Sequence, residues 1–331
     1  MSFARRLSVL FAALIAVSVP SAAIAAPHSG NPTASRLVTG LQGGLGSTIG
    51  PDGALYVTET AAGRITRVDP QTGATTTYAS GLPKPVIGLG GATDIAFLGH
   101  TAYVLVTLVS PDVGGSDIDG IYRVDGPHSF TVVANIGQFA INHPPATPFQ
   151  VPSGLQFALQ PYRGGFLVTD GHHNRVYRVT LDGKVTQLIA FGNIVPTGLA
   201  VHGNTIYMAE AGPVPHLPEN GKVVSFGPKS ATATQVASGS PLLVDVEFGR
   251  GRTLYALSQG VGSGGPPGSP ALPDTGALVK VNADGTFTDV TDRLDRPTSL
   301  EFIGTTAYVV TLGGDIWKID GVSGPPHGIA R

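Results

Sequence analysis

The chain has 331 residues, a formal net charge of −2 and no cysteine, which excludes disulfides and thiolate metal sites and leaves no basic surface for nucleic acid or an anionic membrane. Glycine and proline are abundant, at 46 and 27 residues, while 42% of the chain is hydrophobic and only 13% is charged. That balance suits many short strands joined by turns rather than long helices or disorder, and all-β folds of this length often form one unit.

At the N-terminus Arg5 and Arg6 precede an apolar run from Leu7 to Val19, and Ala23-Ile24-Ala25 supplies the small-x-small pattern read by signal peptidase. Residues 1–25 are therefore expected to be a cleaved signal peptide, with 26–34 as a lead-in to the mature domain. The apolar run is short for a bilayer span of about 20 residues, which disfavours the alternative of an uncleaved anchor. A secreted or extracytoplasmic protein without a membrane span is expected, and a monomer.

From there one pattern recurs. The runs LYVTE (Leu55 to Glu59), AYVLV (Ala102 to Val106), FLVTD (Phe166 to Asp170), IYMAE (Ile206 to Glu210), LYALS (Leu254 to Ser258) and AYVVT (Ala307 to Thr311) are six copies of one strand. Each follows an apolar inner strand, such as TDIAF or TSLEF, and precedes a third, such as RITRVD or DIWKID. With a fourth outer strand, each copy makes a four-stranded antiparallel sheet of about 40 residues, the size of a propeller blade. The spacing is irregular, from 40 residues (Leu167 to Tyr207) to 64 (Tyr103 to Leu167). An all-β, six-bladed β-propeller over residues 35–322 is the predicted fold, with a flexible tail over 323–331; a seventh, degenerate blade in the insertion Asn135 to Gln150 is the rival count. The last copy has only three strands. SRLVTGLQ (Ser35 to Gln42) matches the outer strand TTYASGLP of the first blade, so residues 35–42 are predicted to complete the last blade and close the ring.

The segments PDGALYVTE…GRITRVD in the first copy and FLVTDGHHNRVYRV in the third resemble the NHL repeat over nearly the whole mature chain. The layout of a signal peptide followed by NHL-like blades with long Gly/Pro-rich insertions is similar to the ScyD/ScyE family, named for the scytonemin pigment clusters. That resemblance implies an exported propeller and a role in late, extracytoplasmic steps of secondary-metabolite maturation. Six-bladed lactonases of the gluconolactonase type have a similar architecture, and their metal is held by Asn or Asp just before an inner-strand Gly. The residues aligned with that position here are Leu45, Thr93, Ser153, Thr197, Val244 and Thr298, so that metal site is not expected.

Loop lengths orient the ring. In a meander, the turns joining strands 1–2 and 3–4 lie on one face; the 2–3 loops and the links between blades lie on the other. Here the first set is short, and the second holds the long segments Val109 to Gly120, Asn135 to Gln150, Ala211 to Gly221 and Gln259 to Gly276. Binding residues usually sit on such loops, so a protein, glycan or small-molecule ligand is expected on the long-loop face. Glu59, Asp170 and Glu210 end the second strand on that face, and His172 and His173 follow Asp170. The histidines suit metal or proton chemistry, although Gly-His-His-Asn-Arg-Val stands where NHL repeats commonly carry a Gly-Asn-Asn-Arg-Val turn, with Asn174 reversing the chain.

The inner strands alternate. One parity is apolar, as in Ile95 and Phe97 or Leu155 and Phe157. The other reads Asp94 and Ala96, Gly154 and Gln156, Gly198 and Ala200, Asp245 and Glu247, Ser299 and Glu301. If this parity faces the axis, Asp94, Asp245, Glu247 and Glu301 line the channel with no basic residue among the aligned positions, and Asp94 and Asp245, three blades apart, stand opposite each other. Such carboxylates raise one another's pKa unless a cation or water neutralises them. Calcium, a hard oxygen-seeking cation, is the candidate metal; its need for 6–8 oxygen ligands favours the plainer alternative of a solvated polar channel. No serine-hydrolase elbow or phosphate loop is present. Two function classes remain: a non-catalytic binding scaffold, and a metal-dependent extracytoplasmic enzyme of the lactonase-like propeller class.

Overall fold

The computed structural model describes residues 32–146, 150–266 and 268–323; the predicted signal peptide and most of the predicted tail lie outside them. The first strand, β1 (Thr33–Val38), belongs to the last sheet. Blade 1 is then β2 (Gly44–Ile49), β3 (Leu55–Glu59), β4 (Arg64–Val68) and β5 (Thr75–Ser80); blade 2 is β6 (Gly91–Leu98), β7 (Thr101–Thr107), β8 (Gly120–Gly126) and β9 (Ser129–Asn135). Blade 3 is β10 (Gln156–Tyr162), β11 (Gly165–Asp170), β12 (Arg175–Thr180) and β13 (Val185–Ala190); blade 4 is β14 (Pro196–His202), β15 (Thr205–Glu210), β16 (Lys222–Phe226) and β17 (Thr234–Ser238). Blade 5 is β18 (Leu243–Phe248), β19 (Leu254–Ser258), β20 (Gly276–Val281) and β21 (Phe287–Leu294), and blade 6 is β22 (Pro297–Ile303), β23 (Thr306–Thr311), β24 (Ile316–Asp320) and β1. Each inner strand contacts the inner strands of both neighbouring blades, β22 meeting β2, so the six sheets form a closed ring.

The core explains why the second-strand runs are so apolar. Every residue of LYVTE, FLVTD and LYALS is buried, because each blade is covered on both faces by its neighbours. The hydrophobic clusters sit in the seams between blades. In the seam of blades 1 and 2, Tyr56 meets Tyr78 and Phe97 edge-on at 5.0 and 4.9 Å, packed with Ile95 and Val104.

The ring closes where the sequence places the closure, two residues earlier than read. β1 pairs antiparallel with β24, Thr33 opposite Asp320 and Arg36 opposite Trp317. Arg36 lies 5.1 Å from the Trp317 ring centroid and 3.2 Å from the Asp315 carboxylate, and Tyr308 of blade 6 donates its hydroxyl to the Pro70 carbonyl of blade 1 at 3.0 Å. Among its described residues the insertion after β9 carries no blade and holds one helix, α1 (Ile136–Asn142), capped by the Asn135 side chain, which accepts from Gln138 N at 2.8 Å. Ser323, the last described residue, is buried; its hydroxyl accepts from Arg250 N at 3.0 Å.

All six inner strands share an irregularity. Pairing with the second strand slips between Gly44 and Ser47, Ala92 and Asp94, Gln156 and Leu159, Pro196 and Leu199, Leu243 and Asp245, and Pro297 and Ser299. Such a bulge re-aims side chains and breaks strict alternation, so two consecutive residues face the axis at that level. The register also corrects the reading of blade 3. Gln160 pairs with Leu167 as Ala96 pairs with Tyr103 and Glu247 with Tyr255. The axial residues of that blade are therefore Phe157, Ala158 and Gln160, four positions beyond the expected Ser153, Gly154 and Gln156. Gln156 is instead buried between blades 2 and 3, bonded to Thr107.

Candidate ligand chamber and acidic channel

The axis is lined in three levels. The uppermost, toward the long-loop face, is Leu45, Thr93, Phe157, Thr197, Val244 and Thr298; the bulge then brings Gly46, Asp94, Ala158, Gly198, Asp245 and Ser299 into a constriction of about 20 Å³. Below it, toward the short-turn face, a cavity of about 300 Å³ is bounded by Thr48, Gln160, Glu247 and Glu301 together with the two aspartates. The four carboxylates predicted to line the channel do so.

Asp94 and Asp245 are built in identically, half a turn apart. Asp94 Oδ2 accepts from Leu159 N of the next blade at 2.7 Å and Oδ1 from Ile95 N at 2.8 Å. Asp245 accepts from Leu300 N at 2.7 Å and Val246 N at 2.9 Å. The preceding blade carries glycine in both cases, since a Cβ on Gly46 or Gly198 would fall on the Asp94 or Asp245 carboxylate and Cα. Each aspartate is thus a staple between inner strands. Burial pushes Asp94 and Glu301 well above the ordinary carboxylate range, Asp245 to about 7 and Glu247 to about 8, and the neighbouring carboxylates add to the shift for Asp94, Glu247 and Glu301. The cavity is an acidic channel in which burial favours the protonated carboxyls. Among the described residues no group of three or more His, Asp or Glu side chains is placed to hold a metal ion, so the carboxylates face one another across the lumen without forming a cage.

The acidic residues of the long-loop face do not converge. Alternate residues of a strand share a face, and Glu59, Asp170 and Glu210 each enter a different inter-blade seam with the apolar residues two and four positions before them. Glu59 accepts both arms of Arg64, at 2.9 and 2.7 Å, the backbone N–H of Gln42 at 2.7 Å and the Thr66 hydroxyl. Burial opposes its charge, but these partners hold its pKa below the usual range. Asp170 accepts from Tyr177 at 2.7 Å and from His173 N at 2.9 Å, with His173 Nδ1 at 3.2 Å. Arg175, itself buried, donates to the Tyr177 hydroxyl and to the His143 carbonyl, both at 2.7 Å, tying the end of α1 to blade 3. Asn174 turns the chain at φ 55° and its side-chain Oδ1 accepts from Ile194 N and Val195 N. Glu210 has the weakest setting: Lys222 and Val224 stand where blade 1 has Arg64 and Thr66, and burial pushes it to about 7 despite the Lys222 charge.

Above the constriction lies a second cavity of about 250 Å³, which the sequence does not announce. Its floor is the uppermost axial level, and its walls are mainly aliphatic, with Leu89, Leu108, Leu155, Val195, Val214 and Leu242 among them. The long loops meet over it. Gly262 lies against the Pro215 carbonyl, Gly115 against Val86, and Gly268 of the blade 5 loop against Leu89 of the link between blades 1 and 2, across the mouth. His172 opens onto this chamber; burial, then His173, lowers its pKa, which favours a neutral ring. His216 and Gln259, not singled out in the sequence, also line it. Val86, Ile87 and Leu89 of the link between blades 1 and 2, Val214 and Leu217 of the blade 4 loop and Val261 and Leu272 of the blade 5 loop are exposed.

No family model matches the chain, and no curated protein matches its sequence. Solved structures do resemble it. A gluconolactonase from Xanthomonas campestris matches at a TM-score of 0.62 and 13% identity, over 88% of this chain and 90% of its own. Virginiamycin B lyase from Staphylococcus aureus matches at 0.54 and 13%, over 88% and 99%. The PQQ-bound aldose sugar dehydrogenase from Streptomyces coelicolor matches at 0.58 and 15%, over 89% and 99%. These likenesses show the fold. They span unrelated chemistries, so function has to be argued from the site.

Proposed function

We propose that this propeller is an exported, monomeric binding protein that holds an apolar small molecule in the chamber under its long loops, in the setting of extracytoplasmic secondary-metabolite maturation that the ScyD/ScyE resemblance implies. The observation that carries the reading is the chamber itself: a concave, mostly apolar cavity at the channel mouth, with a few polar groups and a roof of packed loops, is what small-molecule sites look like. The lactonase-like alternative is less well supported, because the ring at the chamber floor presents Leu45, Thr93, Phe157, Thr197, Val244 and Thr298, with no carboxylate or carboxamide among them. Calorimetric titration of the mature protein with 1-methoxynaphthalene, a neutral probe of two fused rings, tests the proposal. Saturable binding is expected, and Val214→Asp, an exposed wall residue, should weaken it roughly tenfold or more by setting a charge against the apolar ligand. Failure of both this probe and its hydroxyl analogue 1-naphthol to bind, or binding indifferent to that change, overturns it.

A further inference from the structure

Apart from the Ser269 hydroxyl on the blade 5 loop, the polar side chains lining the proposed ligand chamber can be accounted for one by one. Thr93 and Thr197 donate their hydroxyls to the carbonyls of Leu105 and Ala209, at 3.3 and 3.0 Å. The Thr107 hydroxyl is engaged by Gln156, and His172 Nε2 accepts from Val151 N at 3.3 Å. Gln259 accepts from Ala271 N through Oε1 at 3.0 Å, which leaves its amide N–H groups as donors. His216 is different. Its Nδ1 lies 2.8 Å from the Gly212 carbonyl and 3.3 Å from that of Ala211. A carbonyl can only accept, so Nδ1 carries the proton and the neutral ring presents Nε2 as an acceptor. The ring is also fixed in place: Gly212 turns at φ 78°, with Asn220 packed where its Cβ would be.

Building on the ligand reading above, we infer that His216 is the specificity-determining residue of the chamber, and that the ligand class is a neutral apolar molecule carrying one hydroxyl or N–H donor, of which a phenol is the simplest case. The apolar walls take the body of the ligand, and His216 Nε2 accepts the donor. His216 is half-buried, so a ligand without a donor displaces water from this acceptor without replacing its hydrogen bond, which penalises it.

The test compares 1-naphthol with 1-methoxynaphthalene, which share the two-ring body and differ in the donor, by calorimetric titration of the mature protein and its His216→Phe and His216→Gln variants. The wild type should prefer 1-naphthol by about 3- to 10-fold, the range a neutral hydrogen bond provides. His216→Phe should erase the preference while still binding the ether, and His216→Gln, which keeps an acceptor, should restore part of it; melting temperatures check that both variants fold. If the wild type binds both probes equally, or if His216→Phe keeps the preference, this inference falls while the chamber stands. If neither probe binds the wild type, the chamber reading falls as well.

Discussion

Glu210 shows how much a single substitution in a repeated position changes. Glu59, at the same place in blade 1, meets an arginine fork, a threonine hydroxyl and a backbone N–H, and its pKa is held down. Glu210 meets Lys222 and an aliphatic Val224, and burial pushes its pKa to about 7. The folded state therefore holds a proton that the unfolded chain has released between about 4.5 and 7. More protons on the native state means stability that is present at low pH and lost as pH rises through 7. Glu210→Gln fixes the neutral form, so the variant should melt with the wild type at pH 4 and above it at pH 8, by about 3 kcal/mol in denaturant titrations. A constant difference between the two pH values would point to packing instead.

At the scale of the element, the unit of closure is β1. Without it β24 would be left as an exposed edge, and Arg36 would leave Trp317 and Asp315. Because each seam is shared by two blades, the loss also loosens Val38 and Leu41, which pack with Leu55 of blade 1 and Tyr308 of blade 6. A chain truncated to begin at Gly43 should melt at lower temperature, less cooperatively, and aggregate through the open edge; calorimetry and light scattering read both. Melting like that of the untruncated mature chain would show that three strands suffice. Blade 3 carries the lesson of register at this scale. Its inner strand holds two candidate stretches, SGLQF and FALQ. Only the second lies seven residues before Leu167, as Ala96 lies before Tyr103, and counting back across the turn would have found it.

For the whole molecule, the acidic channel sets the response to pH. Asp245 and Glu247 titrate near 7 and 8, and Asp94 and Glu301 are also raised. All four are acids with native pKa values above their unfolded ones, so their contribution to stability is full below about pH 4 and is lost as pH rises from there through 7 to 8. The glutamates are the informative pair to change, because Asp94 and Asp245 each accept two backbone N–H bonds that asparagine could not keep. Glu247→Gln with Glu301→Gln should raise the melting temperature most at pH 8.5, less at pH 5.5 and hardly at pH 4, and flatten the profile between. A calcium-dependent rise in wild-type melting temperature that the double variant lacks would show instead that a cation neutralises the channel.

The sequence by itself determined the blade count, the closure by the N-terminal strand and the acidic lining of the axis. Each follows from local periodicity repeated six times, and a repeat either has its second strand or does not. It also determined the turn at Asn174, whose short polar side chain tolerates the left-handed region. Only the tertiary structure decided how many residues of each inner strand face the axis, and which residues of blade 3 do so. The bulge in every inner strand turns two consecutive residues inward, where strict alternation admits one, and period-two reasoning has no access to it. The apolar chamber was hidden for a related reason: its walls come from the inner strands and from loops far apart in the chain, and loops rich in glycine and proline carry no periodicity. Glu59, Asp170 and Glu210 look alike in sequence, yet their environments differ, because what holds a buried carboxylate is the residue opposite it on the next strand, and that pairing exists only once the blade is built.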